Sequence, residues 1–168
     1  TSRHTCAQVI AKIARIEFPA GEWNELIPGL LSNVTKEGSP PTLVQASLQS
    51  LGYFCEEIDS DDVQQSSVNE ILTAIVDGMK PAKSPEIVHA ACTAMLNALE
   101  FVHTNFGNKP ERDHIMNAIC AASTHAEQKV RVVAYECIGQ VANLYYEHLG
   151  DYMQALFTMT FKTVREDH

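Results

Sequence analysis

Apolar residues recur at three- and four-residue spacing from one end of the chain to the other, and the strict alternation of a half-buried strand is almost absent. His4 to Glu17 carries Val9, Ile10, Ile13 and Ile16, and Pro19-Ala20-Gly21 breaks the pattern. Glu22 to Thr35 places Leu26, Ile27, Leu30 and Leu31 on one face, with Pro28 predicting a kink. Thr42 to Ile58 carries Leu48, Leu51, Phe54 and Cys55. Ser67-Val68-Asn69-Glu70 has capping-box spacing ahead of Ile71, Leu72, Ile75, Val76 and Met79. Ser84-Pro85 reads as an N-cap with proline in the first helical position, opening a helix that ends near Gly107. Pro110 opens another, with Ile115, Met116, Ile119 and Cys120. Thr124 to Glu127 is a second capping-box spacing, before Val130, Val133, Ala134, Cys137 and Val141. The last segment follows Gly150 and carries Tyr152, Leu156, Phe157 and Phe161. The pattern predicts eight helical segments, no strand, and antiparallel hairpins joined by short connections.

The segments fall into two alternating series. Leu26-Ile27 aligns with Ile71-Leu72, Ile115-Met116 and Leu156-Phe157, at offsets of 45, 44 and 41 residues. Ile10 aligns with Leu48, Cys92 and Ala134, at offsets of 38, 44 and 42. Two helices per 38 to 45 residues is the period of HEAT or armadillo repeats; a tetratricopeptide array recurs nearer 34. The predicted fold is all-α, an α-solenoid of stacked HEAT hairpins. Residues 1–168 form one array of about four repeats: 1–18 partial, then 22–58, 64–106 and 108–148, then 150–168 partial. The chain starts with Thr1, begins on a second-series helix and ends on a first-series one, with no polar capping repeat at either end. An interior segment of a longer solenoid is therefore expected.

Composition narrows the function. The 168 residues include 21 acidic and 12 basic ones, a formal charge of −9, which argues against nucleic acid and anionic membrane as partners and towards basic ones. No run approaches a membrane span. The five cysteines (Cys6, Cys55, Cys92, Cys120 and Cys137) sit among apolar residues without a C-x-x-C pair and read as buried thiols in a reducing compartment. The seven histidines show no metal-ligand spacing, and no phosphate-binding loop or nucleophile elbow is present. Neither catalytic residues, nor a metal, nor a cofactor is expected. Glu56, Glu57, Asp59, Asp61 and Asp62 make an acidic cluster that reads either as a solvated helix end or as a contact for a basic partner. The chemistry open to such a stack is recognition along an extended surface, with grooves between equivalent helices of adjacent repeats that suit a ring side chain of an extended peptide.

Asn69-Glu70-Ile71-Leu72-Thr73-Ala74-Ile75-Val76-Asp77-Gly78-Met79 closely resembles a stretch of the importin-beta (karyopherin-beta) family of nuclear transport receptors. So do Leu51-Gly52-Tyr53-Phe54-Cys55-Glu56, Trp23 through Ile27, Leu144-Tyr145-Tyr146, Glu111-Arg112 ahead of Ile115-Met116, and Val130-Arg131 with Ala134. The resemblance covers essentially all 168 residues. It implies a place near the N-terminal end of the receptor, from about the third repeat to about the seventh. It further implies binding of phenylalanine-glycine nucleoporin repeats on the outer, first-series side. A contribution to Ran GTPase and cargo binding follows, with importin-alpha or direct cargo engaged through the full-length protein. The implied localisation is cytoplasm, nucleus and nuclear pore complex. The family's principal nucleoporin pocket carries over to Leu72, Thr73 and Val76 on one wall and Glu111, His114 and Ile115 on the other, with a neighbouring pocket at Tyr152 and Met159. His114 stands where the family pattern has an aromatic or apolar residue. The alternative is a HEAT scaffold subunit of another complex, such as a protein phosphatase. It shares the period but not these local matches.

Overall fold

The computed structural model describes residues 2–166, so Thr1, Asp167 and His168 lie outside the described residues. The described chain is helical from end to end: α1 (Ser2–Glu17), α2 (Leu26–Thr35), α3 (Pro41–Glu57), α4 (Gln65–Gly78), α5 (Pro85–Ala98), α6 (His103–Gly107), α7 (Lys109–Ala122), α8 (Gln128–Leu144) and α9 (Met153–Glu166), with short 3-10 turns at Ser60–Asp62 and Tyr146–Asp151. The helices α2/α3, α4/α5 and α7/α8 pack as hairpins. The second helices stack in a row, α1 on α3 on α5 on α8, and α2 meets α4 in the other layer. This is a HEAT solenoid, and the two alternating series of the sequence are its two layers.

One continuous core runs between the layers. Ile71, Ile75, Ile115, Met116 and Ile119 come from the first series, and Leu48, Leu51, Phe54, Met95 and Leu99 from the second or the turn after it; all are fully buried. Burial of each such side chain stabilises the stack by about 1.5–3 kcal/mol, so neighbouring hairpins supply the cover that a single hairpin lacks. Two glycines set how closely helices approach, Gly52 within the row of second helices and Gly78 between the layers. A Cβ on Gly52 would lie 2.7 Å from the Ala94 Cα, and one on Gly78 would lie 2.8 Å from the Ala91 Cβ. Phe54 is held edge-on between Phe18 and Phe101, with ring centroids 5.2 and 6.2 Å away.

Local details depart from the sequence expectation in instructive ways. Helix α2 starts at Leu26 rather than Glu22, which puts Pro28 in its first turn. The missing N–H there has no intrahelical partner to lose, so the expected kink has no cause. Neither capping box forms. Ser67 lies inside α4, whose N-cap is Gln64. Thr124 donates instead to the Ala121 carbonyl, and α8 starts after Glu127. The Ser84 cap does form, accepting from the Ile87 N–H at 3.5 Å. The helix predicted to run to Gly107 breaks after Ala98 and resumes as α6. Tyr145 accounts for the break: its hydroxyl donates to the Leu99 carbonyl at 2.5 Å, and its ring stacks on Phe106 with centroids 4.0 Å apart.

The ends of the stack also correct the pattern. Helix α1 packs on α3 through Ala7, Ala11 and Ala14, while Val9, Ile13 and Ile16 are exposed. Alanine allows the two backbones to approach closely, and that contact decides which row faces in. In α9 only Leu156 is buried among the described side chains; Phe157 and Phe161 are exposed and stack on each other. Cys55, Cys92 and Cys137 are buried as expected, but Cys6 is exposed and Cys120 half-buried. Burial pushes the Cys92 thiol up to about 12 and raises Cys55 and Cys137 as well, which keeps these sulfurs protonated and poorly nucleophilic. No helix among the described residues is long and apolar enough to cross a membrane.

Candidate functional site

A groove of about 330 Å³ opens between α4 and α7. It opens where these two helices make few direct contacts with each other. Leu72 and Val76, one turn apart on α4, form the apolar wall at 8% and 6% exposure, with exposed Thr73 beside them. Pro110, Glu111 and His114 on α7 form the opposite wall, and Asn69 and Asn105 close one end. Five of the expected pocket residues (Leu72, Thr73, Val76, Glu111 and His114) therefore meet in one place. Ile115 does not join them. It is fully buried in the core, because the next residue along a helix turns about 100° away, and that rotation takes position 115 from the groove wall to the interior.

Tyr152 and Met159 occupy a different seam, on the far side of α7. The Tyr152 hydroxyl donates to Asp113, and Lys109 lies 5.9 Å above its ring while bridging Asp113 and Asp151. The Tyr152 hydrogen bond, followed by the Lys109 contact, holds the Asp113 carboxyl below its usual range. Met159 accepts from the Ser123 hydroxyl at 3.4 Å. Both side chains are half-buried and already engaged, Tyr152 ahead of α9 with Asp113 on α7, and Met159 on α9 with Ser123 at the end of α7.

A polar knot that the sequence did not suggest holds the α4/α7 groove open. Asn105 is 3% exposed and lies on α6, outside the helices that form the walls. Its amide donates to the Asn69 Oδ1 at 2.7 Å on α4 and to the Glu111 Oε2 at 2.6 Å on α7. Its Oδ1 accepts from the Gln65 Nε2 at 3.2 Å, and the Asn108 amide donates to the other Glu111 oxygen at 3.2 Å. The knot spans the gap that apolar packing leaves between the two helices and fixes the Glu111 carboxylate on the groove rim. Asn69 was legible as a neighbour of Thr73 four residues on; nothing local marks Asn105. Asn105→Leu should lower stability by about 1–3 kcal/mol, because it leaves the Asn69, Gln65 and Glu111 groups without their partner. Urea unfolding of the two proteins measures this.

Beneath the rim, buried Arg112 donates to the Phe106 and Gly107 carbonyls at 2.9 and 3.3 Å and ties α6 to the first turn of α7. The acidic cluster is divided among local partners. Glu57 pairs with Lys12 and Arg15 across α1, and the Lys12 hydrogen bond in particular lowers its carboxyl. Glu56 accepts from Asn97, and Asp59 accepts from the Asp61 N–H. Among the described residues no three His, Cys, Asp or Glu side chains converge to hold a metal ion. The arrangement offers an apolar slot with a fixed carboxylate at its edge, suited to a ring side chain with peptide N–H groups beside it.

Comparison with known proteins gives the groove a context. No protein-family model matches the chain. It is 48% identical over 166 residues to importin subunit beta-1 of Arabidopsis thaliana, a match covering 98% of this chain and 19% of that protein. It is 36% identical to importin subunit beta-1 of Saccharomyces cerevisiae, covering 96% and 19%. Among solved structures, it matches Kap95p in the form whose binding switches the loops of RanGDP to the GTP-bound conformation, with a TM-score of 0.87 and 36% identity over 94% of this chain and 18% of that one. It matches the Kap95:Nup1 complex with a TM-score of 0.83 and 36% identity, covering 95% and 19%. The chain thus spans about a fifth of the length of the curated relatives it matches.

Proposed function

We propose, from the fact that this chain belongs to the importin-beta family along nearly all of its own length, that it is a peptide-binding segment of a nuclear transport receptor. The α4/α7 groove takes the phenylalanine ring of a phenylalanine-glycine nucleoporin repeat. Leu72 and Val76 contact the ring, Thr73 leaves room beside it, His114 supplies a ring face opposite, and Glu111 accepts from the peptide backbone. The seam at Tyr152 and Met159 is a second, shallower contact for the same class of peptide. Ran GTPase and cargo, the latter directly or through importin-alpha, are partners of the full-length receptor to which this segment contributes. The segment works as a binding module without catalytic residues, and the receptor moves between cytoplasm and nucleus through the nuclear pore complex.

The observation that carries this reading is the meeting of Leu72, Thr73, Val76, Glu111 and His114 in one groove between equivalent helices of adjacent repeats. Relatedness to Kap95, which forms a complex with Nup1, supports it. The phosphatase-scaffold alternative shares the repeat period and lacks this sequence similarity.

Titration with a synthetic phenylalanine-glycine peptide tests the groove. Val76→Asp is expected to weaken binding about tenfold or more, because it sets a carboxylate against the incoming ring. Thr73→Arg, an exposed change that fills the mouth without entering the core, should do the same with the helical circular dichroism intact. Unchanged affinity in the folded Thr73→Arg protein would remove the groove from this role.

A further inference from the structure

A second and larger groove of about 960 Å³ lies on the opposite side of α4, between α4 and α2. None of the residues assigned from the sequence explains it except Thr73, which lines both grooves together with Asn69. Its floor is apolar: Leu31 and Val34 on α2, Val44 on α3, Ala74 on α4 and Ile87 on α5. The loop after α2, bent at Gly38 with φ +79°, forms one wall. At the rim Asp77 pairs with Lys80 at 2.5 Å and with Lys83 at 3.1 Å, and Glu70, Lys36 and Glu37 also line the groove. The groove thus has an apolar floor with charged groups along its rim.

The ridge between the two grooves is low. The α4 side chains common to both are those of Asn69 and Thr73, and the Thr73 hydroxyl folds back onto the Asn69 carbonyl at 2.7 Å. No long side chain is shared at this crossing. The centres of the grooves are separated by roughly one helix spacing, about 8–10 Å. An extended peptide advances about 3.3–3.6 Å per residue, so the span corresponds to about two or three residues.

We propose that the α2/α4 groove binds a second aromatic side chain of the same extended peptide, two or three residues from the ring held between α4 and α7. This rests on the reading of the α4/α7 groove given above and adds a spacing rule to it. A peptide with one ring engages one groove; a peptide with two rings at this spacing crosses α4 at Thr73 and engages both. Because the second contact is intramolecular, it raises affinity without requiring either contact to be strong.

Three synthetic peptides test this on the 168-residue chain: one with phenylalanines at positions i and i+3, and two in which one or the other is serine. The two-ring peptide is expected to bind about tenfold tighter than either single-ring peptide. Leu31→Asp should remove that gain while leaving single-ring affinity unchanged. With a photoreactive benzoylphenylalanine at one ring position and then the other, wild-type protein should yield cross-links within residues 31–44 from one of the two positions. The cross-linking arm stands even where Leu31→Asp fails to fold. Equal affinities for the two-ring and single-ring peptides, or no cross-link to residues 31–44, would overturn the proposal. Loss of single-ring binding in Val76→Asp, whose residue lines only the α4/α7 groove, alongside such a result means that only the second groove is refuted. Unchanged single-ring binding in Thr73→Arg refutes the α4/α7 reading itself, and this proposal with it.

Discussion

Gly52→Val is expected to lower the melting temperature of this chain by about 6–12 °C or more, the largest loss we foresee from a single added side chain. Gly52 lies in the interior of α3, where glycine ordinarily costs about 0.5–1 kcal/mol relative to alanine. Helix propensity alone would therefore predict a gain from any substitution with a better helix former. The tertiary contact reverses the sign. A Cβ at position 52 meets the Ala94 Cα at 2.7 Å and the Ala94 Cβ at 3.0 Å. The nearest atom is backbone, so no rotamer change relieves it, and α3 and α5 must separate along the seam that joins two repeats. Overpacking a core costs about 1–3 kcal/mol and more where backbone must move, which places Gly52→Val at about 3 kcal/mol or above. Gly139 supplies the control. It lies inside α8, and a Cβ added there would meet nothing within 4 Å, so Gly139→Ala should stabilise by about 0.5–1 kcal/mol. Thermal unfolding followed by circular dichroism reads both signs. A Gly52→Val protein that melts with the wild type would show that the α3/α5 seam is loose.

Ile115→Ala is expected to cost about 2–5 kcal/mol of stability while leaving the peptide affinity of the folded protein within about threefold. Ile115 is fully buried against the first-series core, and truncating it removes apolar contacts and leaves a cavity. It lines neither groove wall, so a bound ring would not touch it. Urea unfolding and peptide titration separate the two effects. A large affinity loss at unchanged stability would return Ile115 to the groove, where the family resemblance puts it. The contrast with His114 is the useful one: adjacent in sequence, the two residues serve different surfaces.

The repeat architecture was legible because its signal is redundant. Ile71, Leu72, Ile75 and Val76 carry the same spacing as Leu26, Ile27, Leu30 and Leu31, and one misread helix end does not disturb the period. Caps and breaks were less legible because each depends on one contact. Thr124-x-x-Glu127 has the spacing of a capping box, yet its hydroxyl finds the Ala121 carbonyl. The helix that should reach Gly107 yields to a tyrosine 46 residues away that takes the Leu99 carbonyl. The exposed row of α1 follows the same logic. Val9, Ile13 and Ile16 are the more apolar residues, but Ala7, Ala11 and Ala14 permit the close approach of α3.

The candidate site divides in the same way. Leu72, Thr73 and Val76 share one face of α4 by helical spacing, and Glu111 and His114 share one face of α7, so each wall could be read from its own segment. That the walls stand apart instead of closing on each other could not. Their separation is held by Asn105, which reaches Asn69 across 36 residues and Glu111 across six. By itself the sequence determined the helical period, the pairing into hairpins and the family resemblance, because these depend on residues within a turn or a repeat of one another. Only the tertiary structure decided which side chains face a groove and which face the core, and that two grooves flank α4. A groove is the space left where two packed surfaces fail to meet, and its width depends on the shapes of residues some forty positions apart.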